Sequence, residues 1–183
     1  MWDAVGLSRA MKRHRDELFA GVSRPTTQDP HELFRAICAY LTESSGREVR
    51  LMLEPFPPDT VSGLWLDLGD YEVVVVEENT LHMHQMVILG HELWHRQERR
   101  SGRSGKGAGS TVAARALGNG NQRTVGDVIA DVAARTDYSV AEERRAERFG
   151  RMLAAKFRPF LLGKRAGTPP DDVAGRIWAS LGG

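Results

Sequence analysis

The chain has 183 residues, 41% of them hydrophobic and 27% charged, and its 25 basic and 24 acidic side chains leave a formal charge of +1. Those proportions suit one globular domain with a sizeable core and exclude wholesale disorder, while the balanced charge argues against direct binding to nucleic acid. Cys38 is the single cysteine, no apolar run reaches membrane-spanning length, and charges interrupt residues 1–20. The expected setting is therefore the cytoplasm, without an internal disulfide, a signal peptide or a membrane partner.

Residues 2–19 set Val5, Leu7, Met11, Leu18 and Phe19 among basic side chains, which predicts a loosely amphipathic helix ending near Gly21. Residues 1–28 are read as an N-terminal helical arm, serving either to dock a partner or to pack on the main domain. A better-marked helix opens at Asp29, with Pro30 at the first helical position and Glu32 where a capping box wants it. Leu33, Phe34, Ile37, Cys38 and Leu41 recur at helical spacing before Gly46 ends the pattern, so Cys38 is a core residue rather than a nucleophile.

Three strand-like runs follow over 48–53, 62–68 and 71–76, with Gly69-Asp70 as a tight hairpin between the last two. Asp67, Asp70, Glu72, Glu77 and Glu78 make this ribbon acidic. If residues 71–78 form a sheet edge, those acids either present negative charge to an incoming basic chain or only keep an exposed strand soluble.

A helical pattern resumes over 81–100, and the glycine-rich stretch of about 101–124 is read as a mobile insert. Residues 127–135 suggest a short helix. Ser139 opens the last long helix, Glu142 completes its capping box, and Ala146, Phe149, Leu153, Phe157 and Phe160 form its buried stripe. The main domain thus spans 29–162. A C-terminal tail over 163–183 carries a short helix with Val173, Ile177, Trp178 and Leu181.

The chemistry is concentrated in His91-Glu92-Leu93-Trp94-His95. Histidines four apart lie on one helix face and can reach a single metal ion, and the intervening Glu92 falls beside that ion as a general base. Zinc lowers the pKa of a bound water from 15.7 to about 7, so a carboxylate suffices to deprotonate it. No histidine follows His95, so a third ligand from this side must be a carboxylate, and the helix opening at Ser139 offers Glu142, Glu143 and Glu147. On a helical wheel Glu142 lies nearer the centre of the apolar stripe than Glu143, yet it also has the capping task; Glu147 lies further round, among arginines. His84 shares the His91 face but stands about 10 Å away along the axis, which suits groove lining, and His82 reads as surface. The segment GRSGKGAGS lacks phosphate-loop spacing, and no GxSxG elbow is present.

GHELWH followed by a helix reading ExxAxxFG resembles the ImmA/IrrE-type metallopeptidases over roughly residues 62–158. The resemblance implies Glu143 as third ligand, with Ala146 and Phe149 at the other matching positions. Trp94 stands where that family usually has glycine, and Gly150 replaces the common alanine. The fold expected is α+β and zincin-like: a small three-stranded sheet, the HExxH helix, and a second ligand-bearing helix. The function implied is a cytoplasmic zinc-dependent endopeptidase, with manganese as the alternative metal, that cleaves a helix-turn-helix repressor acting in trans. The rival class is a non-catalytic, metal-stabilised binding module, toxin/antitoxin-like or regulator-binding, and the intact Glu92 speaks against it.

Overall fold

A computed structural model describes residues 4–22, 29–102 and 138–162. The glycine-rich insert beyond Gly102, the short helix expected over 127–135 and the tail helix lie outside the described residues.

Helix α1 runs Ala4–Gly21 and buries Met11 and Leu18 completely, so the N-terminal helix contributes to the common core. Helix α2 (Pro30–Ser45) begins where its local signals place it: Asp29 accepts a hydrogen bond from the His31 N–H at 2.9 Å. It ends at Gly46, whose φ of 68° is the left-handed conformation that favours glycine. Leu33, Phe34, Ile37, Cys38 and Leu41 are all buried. Burial pushes the Cys38 thiol up to about 12, against the pull of Arg96, which leaves it an inert core residue.

Strands β1 (Glu48–Glu54), β2 (Gly63–Asp67) and β3 (Tyr71–Glu77) form one sheet in the order β1-β3-β2. β3 pairs parallel with β1 and antiparallel with β2. Gly69, at φ 88°, makes the β2–β3 turn, closed by a 3.0 Å bond from the Leu68 N–H to the Tyr71 carbonyl. Trp65, Val74 and Val76 face the helices, whereas Leu64, Leu66, Val73 and Val75 form a smaller cluster on the opposite face.

One expectation fails here. Residues 71–77 are not a sheet edge, because β3 is the central strand and the edges are β1 and β2. The reason is visible in Val73–Val76: four consecutive buried valines need cover on both faces, which a central strand receives. Glu72 accordingly presents no charge to a partner. It is fully buried and accepts from Trp65 Nε1 at 2.9 Å, Arg96 Nε at 2.6 Å and Arg100 Nη1 at 3.3 Å. Glu77 is half-buried and accepts from the backbone N–H groups of Phe56 and Asn79.

Helices α3 (His82–Arg100) and α4 (Val140–Leu161) make the most extensive contact in the fold, and α3 also lies on β2 and β3. α4 starts with the expected capping box: the Ser139 hydroxyl accepts from the Glu142 N–H, and the Glu142 carboxylate accepts from the Ser139 N–H at 2.9 Å. The two helices touch through glycines. A Cβ on Gly150 would lie 2.3 Å from the Val87 carbonyl oxygen, and one on Gly90 would lie 2.9 Å from the Gly150 Cα. Arg145 and the buried Glu98 close the same interface with a 2.7 Å bond.

The obstacle at Gly150 is backbone, which cannot rotate away. Gly150→Ala is therefore expected to lower stability by about 1–3 kcal/mol, the usual cost of overpacking. A urea midpoint matching that of the wild type would show that the helices absorb a methyl group without cost.

Candidate metal centre

The site grows from three placements. The four-residue helical spacing brings His91 and His95 side by side, with their Nε2 atoms 3.0 Å apart. The α4 capping box then sets Glu143 one turn into its helix, facing α3. Its two carboxylate oxygens stand 3.3 Å from His91 Nε2 and 3.4 Å from His95 Nε2. Among the described residues, this trio is the group whose donor atoms converge as metal ligands would, all within 4.8 Å of one another.

The spacing can be compared with an ion's requirement. Tetrahedral zinc with bonds near 2.1 Å holds its ligand atoms about 3.4 Å apart. The nitrogen pair is somewhat closer than that edge, at 3.0 Å, and each imidazole has its own Glu143 oxygen near it, Oε2 at 3.3 Å from His91 and Oε1 at 3.4 Å from His95. Two imidazole nitrogens and a carboxylate also form a donor set that zinc favours and manganese accepts.

The other candidate acids have other partners. Glu142 is occupied by the Ser139 cap, and Glu147 is exposed and pairs with Arg151 at 3.4 Å. The wheel position of Glu142 was a poor guide because the first helical turn answers to capping before packing. His84 lines the adjoining cleft, and His82 is exposed with its Nδ1 on Gln85.

Glu92 sits beside this trio at 7% exposure, on the floor of a cleft of about 650 Å³. Burial lifts its carboxyl above the usual range and Glu143 adds to the effect, while His91, His95 and a backbone bond from Trp65 pull the other way. Gly63 makes room for it. A Cβ there would lie 2.4 Å from the Ile88 side chain and 3.0 Å from Glu92 Oε1. Residues 60–64 form one wall of the cleft, and the chain reaches the site along the β2 edge.

The charges are arranged for a cation. Burial opposes a proton on His91, but Glu143, Glu92 and Glu147 together carry its pKa above the ordinary value. Hydrogen bonds from His91 and His95 hold the Glu143 carboxyl down to about 2, despite partial burial. A cation held by the trio would have the Glu143 carboxylate as a ligand and the Glu92 carboxyl beside it.

Sequence reasoning passed over two residues. Gly63 carries no local signal, because its reason is a tertiary approach. Tyr138 lines the cleft and stacks on His95 with ring centroids 3.7 Å apart and planes 13° from parallel. The one available hint was its place immediately before the Ser139 cap, where a hydrophobic residue commonly anchors the chain entering a helix. Trp94 is fully enclosed between Phe149 and His14 at centroid distances of 4.9 and 6.5 Å. It fills space under α1 and does not enter the cleft.

Protein purified without a histidine tag should hold about one zinc per chain. His95→Ala or Glu143→Ala should lose most of it, whereas Glu142→Ala should keep the metal and weaken only the helix cap, by about 1 kcal/mol. Full metal content in Glu143→Ala would remove that residue from the ligand set. The affinity should also depend on pH, because ligation needs neutral imidazoles. With its pKa raised, His91 gives up its proton late, so zinc affinity should climb as pH rises between about 5 and 8. Glu143, already ionised, adds no slope in that interval. A competition titration that is flat across the interval would exclude His91 as a ligand.

No family model, curated protein or solved structure matches this chain.

Proposed function

We propose that this chain is a zinc-dependent peptidase of the zincin type, akin to the ImmA/IrrE metallopeptidases. The observation that carries the reading is the buried Glu92 carboxyl, set beside the His91–His95–Glu143 trio on the floor of an open cleft. A purely structural metal site has no use for a second acid beside the ligands whose pKa is raised by burial. The match of GHELWH and ExxAxxF to that family supports the same reading.

In this mechanism His91, His95 and Glu143 would hold the metal, which when bound would supply Lewis acidity to the scissile carbonyl and lower the pKa of the attacking water. Glu92 takes the proton from that water and delivers it to the leaving amine nitrogen, acting first as base and then as acid. Its burial serves both steps, because a carboxyl lifted above its usual range holds a proton between them more readily. The substrate strand would lie along β2, whose outer side has no partner strand among the described residues. Residues 60–64, with Val87 opposite, then frame an extended peptide as it crosses Glu92.

The substrate class suggested by the resemblance is a helix-turn-helix regulator cut in trans in the cytoplasm. Among the described residues no helix is long and apolar enough to cross a membrane, which is compatible with that setting.

A proteome-derived peptide library, incubated with zinc-loaded protein and read for new termini by mass spectrometry, tests the activity. The wild type should generate termini, and Glu92→Gln should generate them about 10²–10⁴-fold more slowly at equal zinc content. Equal rates would reject Glu92 as the base. A zinc-loaded wild type that cuts neither the library nor helix-turn-helix proteins would favour the binding-module alternative.

A further inference from the structure

A histidine that ligates zinc through Nε2 carries its remaining proton on Nδ1, and that proton ordinarily goes to a carboxylate, a carbonyl or water, fixing the ring's orientation. His95 departs from this arrangement. Its ring is 1% exposed, and its Nδ1 is buried with no hydrogen-bond partner among the described residues. Another contact must hold the imidazole in line with His91 and Glu143.

We propose that Tyr138 is the positioning residue of the metal centre, orienting His95 by face-to-face stacking where a hydrogen bond would otherwise do so. The rings lie 3.7 Å apart and 13° from parallel, a contact that leaves the imidazole plane little freedom to tilt. His95 touches His91 as well, but edge-on, at 4.7 Å and 62°, a geometry that does not define a plane.

The capping box explains how Tyr138 is itself held. Ser139 is the N-cap of α4, so Tyr138 is the residue before the cap and Glu143 is the fourth residue of the helix. A hydrophobic residue before the cap normally packs against the fourth helical residue. Here that fourth residue is a ligand, and the aromatic ring lies on a second ligand instead. The reciprocal Ser139–Glu142 bonds thus fix Glu143 and the ring that orients His95 in one rigid turn. Tyr138 also lines the cleft, so the stack shields one face of His95 from solvent.

This inference rests on His91, His95 and Glu143 being metal ligands, and not on peptide cleavage. Its test therefore measures zinc affinity by chelator competition on the full chain, together with the visible spectrum of the cobalt(II)-substituted protein. Tyr138→Leu keeps apolar bulk but removes the flat ring, and it should bind zinc about 10-fold more weakly, the lower end of what lost support around a metal ligand costs. Its cobalt bands should shift and broaden as His95 gains orientations. Tyr138→Phe keeps the ring and should restore wild-type affinity and spectrum. Thermal melting of the metal-free variants separates this from unfolding, since the metal-free Leu and Phe proteins should melt together. Equal affinity in wild type and Tyr138→Leu overturns the proposal and leaves the ligands standing. Loss in Tyr138→Phe equal to that in Tyr138→Leu also overturns it, by assigning the role to the hydroxyl. A wild type that holds no zinc removes the metal centre, and the stack's function with it.

Discussion

The structure depends on how closely α3 can approach α4. Neither helix carries a complete site: α3 brings two imidazoles and the buried Glu92, and α4 brings the Glu143 carboxylate. Glutamate reaches both histidines only because the axes meet where Gly90 and Gly150 present no side chains. A single Cβ at position 150 would strike the carbonyl of Val87, one turn before His91. Helix separation and ligand separation are thus one variable. Glycine at position 150 is what this particular helix pair requires.

The position of α3 is fixed from the other side by charge. Arg96, adjacent to His95, inserts into the core and meets Glu72 on the central strand, with Trp65 Nε1 sharing the same carboxylate oxygen. Arg47 and Arg100 approach the second oxygen, at 3.5 and 3.3 Å. A carboxylate this deep is tolerable only with its acceptor sites filled, and removing one member of such a group commonly costs about 3–5 kcal/mol. The arrangement also sets rotation. With Arg96 directed at the sheet, Glu92, one turn earlier, falls over the β2 edge at Gly63.

Much of this was legible where the signal is local. Asp29, Pro30 and Gly46 delimit α2 by capping chemistry, Ser139 and Glu142 open α4, and the HExxH spacing places two ligands by helix geometry alone. Legibility fails where the reason for a residue lies far along the chain. Glu72 reads as a solvated acid until its partners arrive from 24 and 28 residues away. Strand order was hidden for the same reason, since the parallel β1–β3 pairing skips the intervening strand. Gly46 and Gly69 advertise left-handed turns, but Gly63, Gly90 and Gly150 have no local peculiarity. Their purpose is the space they leave for another segment. Glu143 shows both limits, because the wheel alone pointed to its neighbour and only the family pattern selected it.

The distance between the ligands along the chain has a thermodynamic meaning. His95 and Glu143 are separated by 143 − 95 = 48 positions, so an ion between them closes a long loop and acts as a removable cross-link. Such a link favours the native state in proportion to the logarithm of free ion over dissociation constant, reaching about 4 kcal/mol at a thousandfold excess. That is a sizeable fraction of the 5–15 kcal/mol by which ordinary domains are stable. With an ion in the trio, the lifetime of the folded chain would then follow the supply of that ion, because proteolysis acts on the unfolded fraction that the ion's absence enlarges.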